Sequence, residues 1–200
     1  MSTRTTTDDP TMSWVKAGLL SLAFVALLWV VEIVDATQGG DLDSYGIRPR
    51  TQEGLWGIPA APFLHGGWDH LEANSGPLLV LGFLVATVSV GRWLAVMAWA
   101  AVVSGLGVWL LAPANSLTIG ASGLVFGLLT YLMVAGFLER RPMRILVGVA
   151  VFLFYGSVLL GVLPGAAGVS WQGHLFGAVG GVVAAYVHAG RRRARDPYAA

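Results

Sequence analysis

The sequence has no cysteine, and only 12% of its 200 residues are charged. The absence of cysteine excludes disulfide bonds, thiolate metal sites and cysteine nucleophiles. The charged fraction is about half that of a soluble globular domain, whereas 56% of the residues are hydrophobic. The net charge is +1, and the basic residues form short clusters between apolar runs, which gives no indication of nucleic-acid binding. The composition therefore predicts a membrane protein.

Six apolar stretches are long enough to cross a bilayer, which takes roughly 17–25 residues. They are 14–34, 71–90, 93–112, 119–138, 143–163 and 172–189. Helices are the expected conformation, because lipid offers no partner for unpaired backbone groups. We predict an all-α, polytopic bundle of six transmembrane helices. Residues 14–190 form this membrane domain, between a disordered cytoplasmic segment, 1–13, and a basic cytoplasmic tail, 191–200.

The basic residues divide unevenly between the two sides that six spans would create. The segments 35–70, 113–118 and 164–171 hold only Arg48 and Arg50. The other side holds the remaining ten, which are Arg4, Lys16, Arg92, Arg140, Arg141, Arg144, Arg191, Arg192, Arg193 and Arg195. Because cytoplasmic loops carry the excess of basic residues, we predict a cell-membrane protein with both termini in the cytoplasm. Five or seven spans would destroy this division.

One long loop, 35–70, lies on the predicted outer side. It carries large apolar residues among prolines and glycines, namely Leu55, Trp56, Ile58, Phe63, Leu64 and Trp68. Aromatic residues favour the membrane interface, so the loop could dip into the headgroup region. An ordinary packed connector is an equally good interpretation.

Four polar residues fall at the same predicted depth, near the outer ends of three parallel spans. Ser122 begins the fourth span and His174 begins the sixth, while His70 and Asn74 lie one helical turn apart at the start of the second. Polar residues within spans are energetically costly and tend to mark function. The common depth of these four residues follows from the predicted topology alone.

These residue types suit nucleophilic catalysis. A serine hydroxyl becomes a good nucleophile when a base such as histidine takes its proton. Attack on an amide builds negative charge on the carbonyl oxygen, which His70, Asn74 and the Ser122 backbone N–H could stabilise. Between Pro113 and Gly190 the only carboxylate is Glu139, on the opposite face. We therefore predict a Ser–His dyad rather than a triad.

Other histidines have simpler interpretations. His65 is expected to hold the outer loop, and His188 to make a hydrogen bond near the cytoplasmic end of the sixth span. Three histidines on the outer side could in principle bind a metal, but the sequence has no H-E-x-x-H motif or carboxylate-assisted site. We predict neither a metal nor a cofactor.

Glycines recur at four-residue spacing in the fourth and sixth spans. They are Gly123 and Gly127 in one, and Gly173, Gly177 and Gly181 in the other. Small residues on one helix face allow two backbones to approach closely, which would bring Ser122 within reach of His174. Phe126, one turn below Ser122, could stack against the imidazole and fix its orientation.

From about residue 14 to 190 the sequence resembles the rhomboid family of intramembrane serine proteases. The resemblance rests on Gly120-Ala121-Ser122-Gly123 as the G-x-S-G motif, on His174-Leu175-Phe176-Gly177 followed by Gly181, and on His65 with His70 and Asn74. It implies Ser122 as nucleophile, His174 as general base, and His70 and Asn74 as oxyanion donors. It also implies substrate access near the fifth span and the loop 164–170.

Two departures from the family pattern are visible. Phe126 stands where a tyrosine is usual, so the ring is kept and a hydroxyl is lost. Many members carry a Trp-Arg pair in the long outer loop, where this chain has Gly46-Ile47-Arg48-Pro49-Arg50. These differences bear on loop anchoring and substrate choice rather than on the dyad.

The predicted function is a serine endopeptidase that cleaves transmembrane segments of membrane proteins near their outer end. Its expected partners are transmembrane protein substrates and membrane lipid, without nucleic acid. One alternative is a catalytically silent rhomboid-like protein that binds membrane clients. A second is a small transporter or channel, which would favour charges that face each other within the spans or an inverted repeat.

Overall fold

The fold is helical throughout the part of the chain that the computed structural model describes, residues 12–165 and 168–195. The structure is 79% helix, and within those ranges extended pairing is limited to an isolated bridge between Ile47 and Thr118. The α-helices in chain order are α1 Trp14–Thr37, α2 Gln52–Ala60, α3 Trp68–Ala86, α4 Val90–Leu111, α5 Ser122–Leu138, α6 Pro142–Tyr155 and α7 Trp171–Arg195. Three 3-10 segments also occur: Asp41–Tyr45, Ala61–Phe63 and Gly156–Val162. The predicted all-α class is confirmed.

Each stretch predicted as a span overlaps a helix. The fifth divides into α6 and the 3-10 segment Gly156–Val162, and α7 continues through the basic stretch to Arg195. The predicted disordered segment lies outside the described residues as far as residue 11, and so does the end of the predicted tail, 196–200.

Three helical stretches are long and apolar enough to cross a membrane: Trp14–Thr37, Val90–Leu111 and Pro142–Val162. Helix α5 is also apolar but has only 17 residues. The stretch Pro142–Val162 has the least buried surface of the three, and its Leu153 and Phe154 are largely exposed. Such apolar surfaces suit contact with lipid, so the chain is a membrane protein. The count of six spans stays a prediction.

Several helices are capped at their N-terminus by a serine or threonine hydroxyl. The oxygens of Ser13, Thr51 and Ser89 each accept the backbone N–H three residues later, at 3.4, 3.0 and 3.1 Å respectively. Each bond satisfies one of the donors that a helix start leaves unpaired. Helix α6 begins instead with Pro142, whose fixed φ suits the first turn and whose missing N–H leaves no donor there to satisfy.

The long loop between α1 and α3 is attached to the chain around the end of α4. Arg50 donates from Nη1 to the carbonyls of Leu110 and Ala112, at 3.0 and 2.8 Å, and Trp109 donates from its indole to the Thr51 carbonyl at 2.8 Å. Helix α2, which the sequence did not predict, leaves Trp56 76% exposed. The loop is therefore a packed connector on one side and an exposed aromatic surface on the other. Arg50 does the anchoring without the family's Trp-Arg pair.

Helices α5 and α7 meet backbone to backbone along their glycines. A Cβ added at Gly177 would overlap the Gly123 carbonyl, and one added at Gly181 would overlap the Gly127 carbonyl. No larger residue fits this contact without separating the helices. The glycine spacing therefore determines how closely the helix that carries Ser122 approaches the helix that carries His174.

A buried ion cluster joins three helices at the far end of α5 from Ser122. Glu139, whose side chain is fully buried, pairs with Arg92 at the start of α4 and with Arg144 in the first turn of α6. Arg92 also donates to the Tyr131 hydroxyl at 3.0 Å. We call the two ends of the bundle the Ser122 end and the Glu139 end.

Candidate active site

Ser122 is the first residue of α5, directly after a tight turn. Gly120 has φ +115°, a conformation that side chains rarely allow, and its N–H donates to the Ala61 carbonyl at 2.8 Å. A Cβ at Gly120 would lie 2.6 Å from Cε1 and 2.7 Å from Nε2 of His70. Glycine is therefore required both for the turn and for the position of the His70 ring. The partly buried serine stands at the positive end of the helix, where developing negative charge is favoured.

His174 lies in the first turn of α7 and is held on two sides. Its ring stacks on Phe126, with centroids 4.2 Å apart and planes 13° from parallel. Its Nδ1 lies 2.9 Å from the Gly161 carbonyl oxygen. Because a carbonyl can only accept, Nδ1 is the donor in this bond. In the neutral ring Nε2 is then left unprotonated, which is the form that can take a proton.

The structure brings the segments that carry Ser122 and His174 into contact. Phe126, one turn after the serine, stacks on the histidine, and a Cβ on Gly123 would lie 3.4 Å from the Gly173 carbonyl. The side chain of Ser104 in α4 donates to that same carbonyl at 2.8 Å. The Ser104 hydroxyl therefore links α4 to α7 beside the site.

His70 and Asn74 belong to the same end of the bundle. The His70 ring lies against Gly120, as described above. Asn74 is 5% exposed, and its side-chain amide donates to the His70 carbonyl at 2.9 Å. That bond uses one of the two amide protons and leaves the other for a further acceptor. Their role as oxyanion donors stays a prediction.

His65 supports the turn that precedes the serine. It is 1% exposed, its Nε2 accepts the Ala121 N–H at 3.4 Å, and its ring meets that of His70 edge to face at 5.1 Å. Burial, and secondly the neighbouring His70, lowers the pKa of His65 to about 4. The ring is therefore neutral at physiological pH and acts as an acceptor for the turn.

The depressed pKa of His65 predicts a loss of stability in mild acid. Between about pH 6.5 and pH 4 the unfolded chain binds a proton at His65 that the folded chain does not, so the free energy of unfolding falls as the pH is lowered through this range. The shift corresponds to about 3 kcal/mol. Unfolding titrations in mixed micelles at pH 7.5, 6 and 5 would measure it. The control is His65→Gln, which keeps an acceptor and removes the titration; equal pH slopes for the two proteins would contradict the prediction.

A small cavity adjoins the serine on the side of α4. Its volume is ≈ 30 Å³, and the oxygen-bearing side chains that line it are Ser104, Thr118, Ser122 and Ser170. A space of this size has room for one water molecule. It lies beside Ser122, and His174 is not among the residues that line it.

Sequence reasoning missed two contributors to the site, the carbonyls of Ala61 and Gly161. A backbone carbonyl is present at every residue, so residue type gives no signal for it. Among the histidines and carboxylates of the described ranges, no group of three is arranged to hold a metal ion.

The chain is similar to known proteins over most of its length. A family model described as a Rhomboid domain matches residues 52–191, a range that contains all four predicted site residues. An uncharacterized protein of Mycobacterium tuberculosis is 47% identical over 204 residues, covering 96% of this chain and 84% of that protein. An uncharacterized protein of Mycobacterium leprae is 46% identical over 186 residues, which cover 88% of this chain and 73% of that protein. Rhomboid-like protein 11, chloroplastic, of Arabidopsis thaliana is 40% identical over 70 residues, which cover 34% of this chain and 25% of that protein.

Proposed function

This chain belongs to the rhomboid family, and we propose that it is an intramembrane serine endopeptidase that acts through a dyad of Ser122 and His174. The observation that carries the proposal is the environment of His174. Its ring is stacked on Phe126 and its Nδ1 donates to a carbonyl. Nε2 is thereby left as the only basic nitrogen, on a helix in contact with the helix that carries the serine.

The chemistry follows from these groups. Nε2 of His174 takes the Ser122 proton as Oγ attacks the scissile carbonyl carbon, and the carbonyl π electrons move onto the oxygen. His70, Asn74 and the Ser122 backbone N–H stabilise that oxyanion. The tetrahedral intermediate collapses, the C–N bond breaks, and the amine leaves with the proton from His174. Water then attacks the acyl carbon of the acyl-enzyme and gives a proton to His174. The ester C–O bond breaks, the carboxylic acid leaves, and His174 returns the proton to Ser122 Oγ.

The substrates would be transmembrane segments of other membrane proteins, cut near their outer ends. A helix must lose local backbone hydrogen bonds before any of its peptides can be attacked, and small or helix-breaking residues favour that loss. We place both termini in the cytoplasm and the Ser122 end toward the outer face, because ten of the twelve basic residues then lie on the cytoplasmic side. The exposed apolar face of Pro142–Val162 and the basic Glu139 end suit contact with lipid.

A serine-directed fluorophosphonate probe tests the proposal most directly. We expect the purified protein in detergent to be labelled, and peptide mapping to place the adduct on Ser122. The same preparation should cut a panel of single-span test proteins within the apolar segment. No labelling and no cleavage would overturn the protease proposal. If single-span proteins were still bound, that result would favour the silent, client-binding alternative.

A further inference from the structure

We infer that the backbone carbonyl of Gly161 is the third member of the catalytic arrangement, and that it fixes the tautomer and orientation of His174 in place of an acidic side chain. The inference rests on the proposed function, since it assigns a positioning role to a group that would not touch the substrate. Three independent features of the 3-10 segment Gly156–Val162 support it.

The first feature is the geometry of the bond. Nδ1 of His174 lies 2.9 Å from the Gly161 oxygen, an ordinary length for an N–H···O hydrogen bond. Since the oxygen cannot donate, the bond selects the tautomer with hydrogen on Nδ1. It therefore performs the selection that a carboxylate performs in a Ser–His–Asp triad.

The second feature is the lack of space at position 161. A Cβ there would lie 3.0 Å from Nδ1 of His174 and 3.0 Å from Cζ of Phe126. The imidazole is consequently enclosed between the face of Phe126 and the backbone of Gly161. Any side chain at 161 would have to displace one of the two rings.

The third feature explains why this carbonyl is available. In a 3-10 segment the carbonyl of residue i accepts the N–H of residue i+3, and the preceding carbonyl follows this rule, because Leu160 accepts from Leu163 at 3.0 Å. The residue three positions after Gly161 is Pro164, which has no N–H. The local sequence therefore leaves the Gly161 oxygen without its regular backbone donor and free for His174.

A neutral acceptor suits a site within the membrane. A carboxylate at this depth would carry a large desolvation penalty, whereas a carbonyl carries none beyond that of the backbone itself. When His174 takes the serine proton and becomes charged, its bond to Gly161 becomes charge-assisted and roughly twice as strong. The carbonyl therefore stabilises the transition state more than the ground state, which is the condition for catalysis.

The test combines a spectroscopic and a kinetic measurement. In protein labelled with ¹⁵N-histidine, long-range ¹H–¹⁵N spectra report which ring nitrogen carries hydrogen, and the His174 signals are identified by their loss in His174→Gln. We expect neutral His174 to be protonated on Nδ1. Protonation on Nε2 would overturn the inference. The spectrum does not depend on activity, so this result stands apart from any failure of the protease proposal.

The kinetic arm uses Gly161→Ala, for which we expect kcat to fall roughly 10–100-fold while KM changes little. The matched control is Gly156→Ala in the same 3-10 segment, where a Cβ meets only the Phe152 ring at 3.1 Å, and it should keep native kcat. Should Gly161→Ala fail to fold, replacing Val162 by its α-hydroxy acid turns the Gly161 carbonyl into a weaker ester acceptor without adding atoms near His174. Native kcat in a folded Gly161→Ala variant or in the ester variant would refute the assignment.

Discussion

Alanine at Ser122 or at His174 is expected to lower the rate of substrate cleavage by roughly 10⁴-fold, and alanine at both positions to lower it no further. The two side chains act as one unit under the proposed mechanism. A serine without its base is a poor nucleophile, and a base without the serine has nothing to activate. Each single loss should therefore remove nearly the whole contribution of the pair.

Initial cleavage rates of a single-span substrate in liposomes would measure this effect. Two matched controls are available in the same regions. Ser104→Ala removes a serine from the same cavity, and His188→Ala removes a histidine from the same helix, α7. Both should retain activity within about tenfold, because each loses only one hydrogen bond to a backbone carbonyl. Additive losses in the double variant would contradict the dyad.

Glu139→Gln is expected to lower the free energy of unfolding by about 3–5 kcal/mol. The substitution keeps the shape of the side chain but removes the charge that compensates Arg92 and Arg144. Those arginine side chains are only 13% and 26% exposed, so two positive charges would be left together in a poorly solvated site. The variant should unfold at a lower denaturant concentration while the geometry of the Ser122 end stays unchanged.

Unfolding in mixed detergent and SDS micelles, followed by circular dichroism, would give this free energy. Glu53→Gln is the matched control, because Glu53 is exposed in the first turn of α2, and its effect should stay within about 0.5 kcal/mol. A triple variant with Arg92→Met, Glu139→Gln and Arg144→Met should be considerably more stable than Glu139→Gln alone, because it removes both arginine charges together with the carboxylate that compensates them. A loss below about 1 kcal/mol for Glu139→Gln would show that the charges are solvated.

Helices α1 and α3 to α7 were predictable from the sequence, whereas α2 was not, and hydropathy does not recognise the predicted six equally. The stretches that meet span criteria are α1, α4 and Pro142–Val162. Helix α3 carries Asp69, His70 and Asn74 near its start, and α7 carries glycines and ends in arginines. The residues that give these two helices their roles in the site also reduce their apolar character. Both were nevertheless predicted as spans from apolar length, and the basic-residue asymmetry supported the count of six, which stays a prediction.

The candidate site was predictable where side-chain chemistry identifies it. Ser122, His174, His70 and Asn74 were predicted from residue type and expected depth. They lie at one end of the bundle, and their roles stay a prediction. The Gly161 carbonyl and the partnership of Glu139 with two arginines were not predicted. Both depend on which atoms of separate helices come into contact. The spacing of residue types along the sequence does not specify those contacts.

The ion cluster at Glu139 has a mechanical consequence for α6. Arg144 pairs with Glu139 at the end of α5, and Glu139 also pairs with Arg92 of α4, so a tilt of α6 about Arg144 would displace its opposite end the most. Gly161 follows Arg144 by eleven helical and six 3-10 steps, a lever of up to about 29 Å. A tilt of about 6° would move the Gly161 oxygen by roughly 3 Å, which is as long as its bond to His174. A small rotation of α6 near Arg144 would thus be enough to break the hydrogen bond between Gly161 and His174 at the other end of the bundle.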